Sequence, residues 1–315
     1  MRDLRIVFMG TPDFAVGVLK KLIEEKQNIV GVITAPDRQS GRGRKVSASA
    51  VKEYALNEGL KILQPTNLKD EIFLSELKAL DANLQIVVAF RMLPKQVWQI
   101  PEYGTFNLHA SLLPNYRGAA PINWAIINGE AKTGVTTFFI DEKIDTGAII
   151  KNKAVSISEK ETVGTLHDIL MANGSELVLE TVQLIQKDAA KPVAQEEIGI
   201  LKEAPKLTNE NTQIDWTWDP CAIDRFIRGL SPYPVAWTML EMDGQSQKAK
   251  IYRANFQKEP HNDSLGKIIT SKTELKVAVK NGYLCIEEIQ LPGKRKMDTK
   301  SLLNGFSFSE GSKFT

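Results

Sequence analysis

Asn107, His109 and Asp145 are of types that together can carry acyl transfer. Asn107 and His109 are two residues apart, so along an extended segment both point to one face. An amide donor stabilises an oxyanion, and an imidazole handles protons near neutral pH. Asp145 lies in the turn Asp141-Glu142-Lys143-Ile144-Asp145-Thr146-Gly147. Its carboxylate can fix the imidazole's tautomer and relay or supply a proton. No serine or cysteine sits in a nucleophile context such as GxSxG, so the set predicts direct transfer between two bound substrates. On the trio alone a structural role for His109 stays open, because a loop histidine is often structural. His167, within a helical pattern, and His261, in a polar turn, read as structural or exposed.

The elements that must position these residues read as alternating strands and helices. Residues 4–10 form an apolar strand, 14–26 a helix capped by Asp13, and 29–34 a second strand. Helices at 48–57 and 67–80, and strands at 84–89, 105–108, 134–140 and 148–155, continue the pattern. One long helix over 162–187 closes it. That order predicts an α/β, Rossmann-like, mostly parallel sheet. His109 falls just past the C-terminal end of a strand, where open α/β sheets hold ligands. Residues 188–205 lose periodicity and read as a surface linker. Beyond them, a helix at 219–228 precedes short strands at 236–242, 248–256, 266–270, 276–279 and 283–291, a pattern for a small barrel or sandwich. The division expected is 1–189 catalytic, 190–206 linker and 207–315 second domain.

A net charge of +2 excludes a protein that coats nucleic acid but leaves room for a local basic patch. Cys221 and Cys285 are far apart and lack CxxC spacing, so neither a disulfide scaffold nor a cysteine zinc site is expected, and no metal. No apolar run reaches the roughly 20 residues that a spanning helix needs, so a soluble, cytoplasmic chain is expected. Gly10-Thr11-Pro12-Asp13 lacks two glycines of GxGxxG and reads as a tight turn with a helix cap, which disfavours a nicotinamide dehydrogenase. Residues 37–45 pack four cations and two glycines into a loop. It is either a solvated surface or a contact for RNA phosphates.

Asn107-x-His109-x-Ser111-Leu112-Leu113-Pro114-x-x-Arg117-Gly118, followed by Asp145-Thr146-Gly147, resembles the signature of the folate-dependent formyltransferases. Gly10-Thr11-Pro12-Asp13-Phe14, Pro36-Asp37-Arg38 with Gly41-Arg42-Gly43, Gly118-Ala119-Ala120-Pro121-Ile122, Lys206-Leu207-Thr208 and Ile214-Asp215-Trp216 resemble the branch that formylates methionyl initiator tRNA. The resemblance spans nearly the whole chain, in order. It implies 10-formyltetrahydrofolate as donor co-substrate and the methionine α-amino group on initiator tRNA as acceptor. It also implies that Asn107, His109 and Asp145 are catalytic, and that Ser111, Leu112, Leu113, Pro114, Phe90 and Leu93 line the folate site. Arg42, Arg44 and Lys45 would enter the tRNA acceptor end, and the second domain would be an OB-like barrel holding the tRNA. A monomer is expected. Ala89-Phe90-Arg91-Met92-Leu93-Pro94 departs from the family's common Ala-Tyr-Gly run, with arginine replacing glycine and one residue fewer. The rival acceptors are glycinamide ribonucleotide or an amino sugar, and the rival class is a non-catalytic RNA-binding protein. The arginine-rich loop and second domain favour the large polyanionic acceptor.

Overall fold

Strand β1 (Ile6–Gly10) is buried along its whole length, as a strand covered by helices on both faces must be. The structure, a computed structural model, describes residues 1–40, 45–197 and 199–315, with the backbone alone at 39, 40, 45 and 46. Helix α1 (Asp13–Glu24) leads to β2 (Ile29–Ile33), which pairs in parallel with β1. The helix start differs from the sequence expectation. Pro12 is the N-cap and Asp13 the first helical residue. The Pro12 carbonyl accepts from the Ala15 N–H, which leaves Asp13 in the first turn, where the helix dipole favours an acid.

After β2, β3 (Arg38–Ser40) and β4 (Lys45–Ser47) pair antiparallel where the sequence reads as a loop. The chain continues through α2 (Ala50–Asn57), β5 (Ile62–Leu63), α3 (Glu71–Ala79), β6 (Leu84–Val88), α4 (Lys95–Trp98) and β7 (Thr105–His109). Next come β8 (Arg117–Gly118), α5 (Pro121–Ile127), β9 (Lys132–Phe139), β10 (Ile149–Ser156), α6 (Val163–Gln186) and β11 (Glu203–Ala204). The main sheet has the order β10-β9-β7-β6-β1-β2-β5. Its strands are parallel from β5 to β7, and β9 then runs antiparallel to β7. Val7, Met9, Ile33 and Val87 pack with Phe73, Leu77, Leu93 and Val97 in one apolar cluster.

Two compact units emerge. One holds residues 1–118, 133–156 and 167–203, and the other 119–132, 157–166 and 204–315. In the second, α7 (Pro220–Leu230) starts at Asp219, whose side chain accepts from the Cys221 N–H, a favourable cap. Its Gly229 lies so close to α5 that a Cβ would stand 2.6 Å from Ile127 Cγ1. The strands are β12 (Ala236–Met242), β13 (Gln245–Lys258), β14 (Ile268–Thr270), β15 (Leu275–Val279) and β16 (Gly282–Gln290). Then come β17 (Met297–Asp298), α8 (Thr299–Leu303) and β18 (Lys313–Phe314).

This antiparallel sheet has the order β14-β15-β16-β13-β12-β18. A bridge between Lys267 and Lys313 brings its two ends together, with the Phe314 N–H donating to the Gly266 carbonyl at 2.8 Å. The result is a nearly closed barrel, which removes the free edges that would template aggregation. Trp216 stacks on Phe314 inside it, ring centroids 5.6 Å apart, and its Nε1–H donates to Thr238 Oγ1.

Candidate active site

Strand β7 carries both Asn107 and His109. Asn107 lies between Val87 of β6 and Phe138 of β9, and His109 opposite Thr136. The strand period of two puts both side chains on one face. Asn107 is half-buried, and its amide has no hydrogen-bond partner among the described residues.

His109 is buried, with Nε2 2.7 Å from the Tyr116 carbonyl oxygen. A carbonyl only accepts, so Nε2 carries the hydrogen and the neutral ring keeps a bare Nδ1. Nδ1 stands 3.7 Å from Asp145 Oδ2. Tyr116 has φ +62°, a left-handed conformation that bulky residues rarely take. Its N–H donates to the Lys202 carbonyl at 2.6 Å.

Asp145 also has a left-handed backbone, φ +55°, which aspartate tolerates better than most residues. Its Oδ2 accepts from the Gly118 N–H at 3.0 Å. Within the same turn Asp141 Oδ1 accepts from the Lys143 N–H and the Thr146 hydroxyl. Lys95 pairs with Glu142 at 2.5 Å and holds that carboxyl below its ordinary range. Gly147 is obligatory here, because a Cβ would lie 1.7 Å from the Phe139 carbonyl oxygen. Asn107, His109 and Asp145 are thus set on three supports: a strand, a turned-back carbonyl and a braced loop.

Of the four residues from Ser111 to Pro114, Ser111 and Leu113 are buried, and Leu112 and Pro114 half-buried. The Ser111 hydroxyl donates to the Asn115 carbonyl, and Thr136 Oγ1 donates to the Ser111 carbonyl while accepting from the Leu113 N–H at 3.3 Å. Leu112 and Pro114 are therefore the less buried side chains of this segment. Leu93 is buried in the apolar cluster and Phe90 packs half-buried against it. Arg91, the departing residue, turns to the backbone of the neighbouring loop, its guanidinium donating to the Pro65 and Thr66 carbonyls. Burial, then Arg38, lowers its pKa.

Arg42 and Arg44 lie outside the described residues, as does the Lys45 side chain. The base of that basic segment is anchored. Asp37 Oδ2 pairs with Lys52 at 2.6 Å and its Oδ1 accepts from Gln64 Nε2 at 2.9 Å. Those two donors, Lys52 first, hold the Asp37 carboxyl below its ordinary 3.8.

Sequence reasoning passes over Tyr116, Thr136 and Gln195. Gln195 Nε2 donates to the carbonyls of Asp145 and Gly147, both at 2.9 Å. Main-chain acceptors carry no residue-type signature, so no motif points to these contacts. The segment read as a surface linker also has fixed contacts. Val193 exchanges two backbone hydrogen bonds with Ile149, each 2.8 Å, so the segment docks on the start of β10. Most described residues of the segment are exposed, as a surface connection should be, and it is tied down at single points.

Residues 4–182 match the family described as Formyl transferase, and residues 206–307 match Formyl transferase, C-terminal domain. The chain belongs to the formyl transferase family. Among curated relatives of this formyl transferase, the methionyl-tRNA formyltransferase of Flavobacterium johnsoniae is 57% identical over 313 residues, 99% of each chain. That of Bacteroides thetaiotaomicron is 51% identical over 316 residues, covering 99% of this chain and 98% of the other. Among solved structures, HypX from Aquifex aeolicus in complex with tetrahydrofolic acid superposes with a TM-score of 0.66 at 18% identity. The match covers 96% of this chain and 47% of that longer one, and shows the shared fold.

Proposed function

We propose that this formyl transferase moves the formyl group of 10-formyltetrahydrofolate to the α-amino group of methionyl initiator tRNA, giving N-formylmethionyl-tRNA for translation initiation. The observation that carries the acceptor is identity of 57% along 99% of both chains with a relative bearing that name. Catalytic and C-terminal family matches occur together in the chain. The enzyme works as a monomer in the cytoplasm. Arg42, Arg44 and Lys45 contact tRNA phosphates, and the C-terminal barrel adds further backbone contacts.

In the reaction the methionyl amine attacks the formyl carbon and builds a tetrahedral oxyanion. Asn107, whose amide has no partner among the described residues, donates to that oxygen. His109 keeps Nε2–H on the Tyr116 carbonyl, so its working atom is Nδ1. Protonated there, the ring places a positive N–H beside the Asp145 carboxylate and the developing charge. Asp145 takes the proton that the attacking amine sheds, directly or through water. The proton is then delivered to the folate nitrogen as its bond to the formyl carbon breaks, and the products are N-formylmethionyl-tRNA and tetrahydrofolate. Leu112, Pro114 and Phe90 offer the half-buried surface on which the folate packs.

The test supplies 10-formyltetrahydrofolate with four acceptors in turn: methionyl initiator tRNA, methionyl elongator tRNA, glycinamide ribonucleotide and a nucleotide-linked amino sugar. Formylation of the initiator in strong preference to the others is expected. Transfer to a small amine in preference to the initiator would overturn the acceptor, and no transfer to any would overturn the enzyme reading.

A further inference from the structure

Gln195 and Lys202 of the connecting segment grip both neighbours of the His109 ring, the Tyr116 carbonyl that accepts from Nε2 and the Asp145 carboxylate facing Nδ1. On one side the Lys202 carbonyl accepts from the Tyr116 N–H at 2.6 Å, and the Lys202 N–H donates to Asn115 Oδ1 at 3.1 Å. Those contacts hold the left-handed Tyr116 whose carbonyl receives His109 Nε2–H. On the other side Gln195 donates to the carbonyls of Asp145 and Gly147, at the two ends of the stretch that presents the Asp145 carboxylate.

The orientation of the Gln195 amide is itself enforced. Its Oε1 accepts from Arg117 Nε at 3.2 Å and from Arg117 NH2 at 2.7 Å, a fork that a guanidinium makes only with an acceptor. The amide nitrogen must then face the two carbonyls. Arg117 is in turn tied to Glu197 at 2.6 Å, and it holds that carboxyl below its ordinary range. The order is Glu197, Arg117, Gln195 and then the Asp145 backbone, with each donor answered by an acceptor.

We propose that Gln195, oriented by Arg117, is a positioning residue that sets Asp145 against His109 Nδ1, so that the connecting segment is part of the catalytic apparatus. This rests on the catalytic assignment of Asp145 and His109 made above. Neither Gln195 nor Arg117 touches the reacting atoms. Their contribution is to remove freedom from a left-handed residue whose carboxylate stands 3.7 Å from the ring, and small misplacements of a catalytic group are costly.

Two substitutions separate positioning from folding. Gln195→Glu keeps an acceptor for Arg117 but removes both donors to Asp145 and Gly147, and Gln195→Leu removes both halves. Each is expected to lower kcat by about tenfold or more while leaving KM for the folate and for the acceptor within about twofold. The melting temperature should stay within about 4 °C. The second readout needs no substrate. With three histidines in the chain, the ¹⁵N shifts of the His109 ring can be assigned by single replacement of the other two. Both Gln195 variants should move them, because Asp145 has shifted relative to Nδ1.

Unchanged ring shifts in both variants would overturn the proposal, as would a loss of activity that tracks a loss of folded protein. If wild-type enzyme does not formylate methionyl initiator tRNA, the functional reading fails. The ring-shift result still decides whether Gln195 controls the His109 and Asp145 pair.

Discussion

His109 Nδ1 stands 3.7 Å from Asp145 Oδ2 while His109 Nε2 is committed to the Tyr116 carbonyl. That division of labour makes Nδ1 the one ring atom available for chemistry, and it places the carboxylate beyond hydrogen-bond contact, at the range of an ion pair. The carboxylate's other tie is the Gly118 N–H. It therefore keeps lone pairs for a substrate proton.

Asp145→Asn tests that role with little change of shape. The amide oxygen can still accept from the Gly118 N–H, but the side chain can no longer take up a proton. Turnover should fall by about 10²- to 10⁴-fold, the usual share of general acid–base catalysis. Folate binding, followed by fluorescence titration, should persist. Turnover close to wild type would remove Asp145 from the proton path.

The anchor beneath the basic segment gives a pH-dependent prediction. The Asp37 carboxyl is held below 3.8, first by Lys52 and then by Gln64. A depressed folded-state pKa contributes stability above the unfolded value and loses it as pH falls through the folded value. Lys52→Met should therefore lower the urea midpoint relative to wild type at pH 5 to 7, with the gap closing as pH drops below 3.8. A gap that stays constant across that range would show that Lys52 acts through packing alone.

Replacing Arg42 and Lys45 together with alanine should weaken tRNA binding and leave folate binding intact. Two lost phosphate contacts should reduce the slope of log affinity against log salt by roughly 1.4 to 1.8. Filter binding over a salt series measures it. An unaltered slope would return those side chains to solvent.

The α/β order was legible because period and length agree. The apolar stripe of α6 spans 24 residues, and β12 runs from Ala236 to Met242, as its alternation predicts. The pairing of Asn107 with His109 on one face was legible for the same reason, since the strand period is two. The support of the site was not. Tyr116 meets His109 through its carbonyl, Gln195 meets the Asp145 turn through two main-chain carbonyls, and the left-handed backbones at Tyr116 and Asp145 follow from tertiary docking. The short β3 and β4 pair and the two-residue β18 that helps close the barrel fall below any periodicity signal. The helix α5, seven residues starting at Pro121, is likewise too short to show a stripe.

Asn107 offers the most direct test of the whole account, because its half-buried amide has no partner among the described residues. The measurement is single-turnover formyl transfer from 10-formyltetrahydrofolate to methionyl initiator tRNA by wild type and Asn107→Ala, each at saturating donor. Losing an oxyanion donor costs about 2.7–4 kcal/mol, so the variant should transfer roughly 10²- to 10³-fold more slowly while binding both substrates normally. A variant that transfers at the wild-type rate would contradict the account.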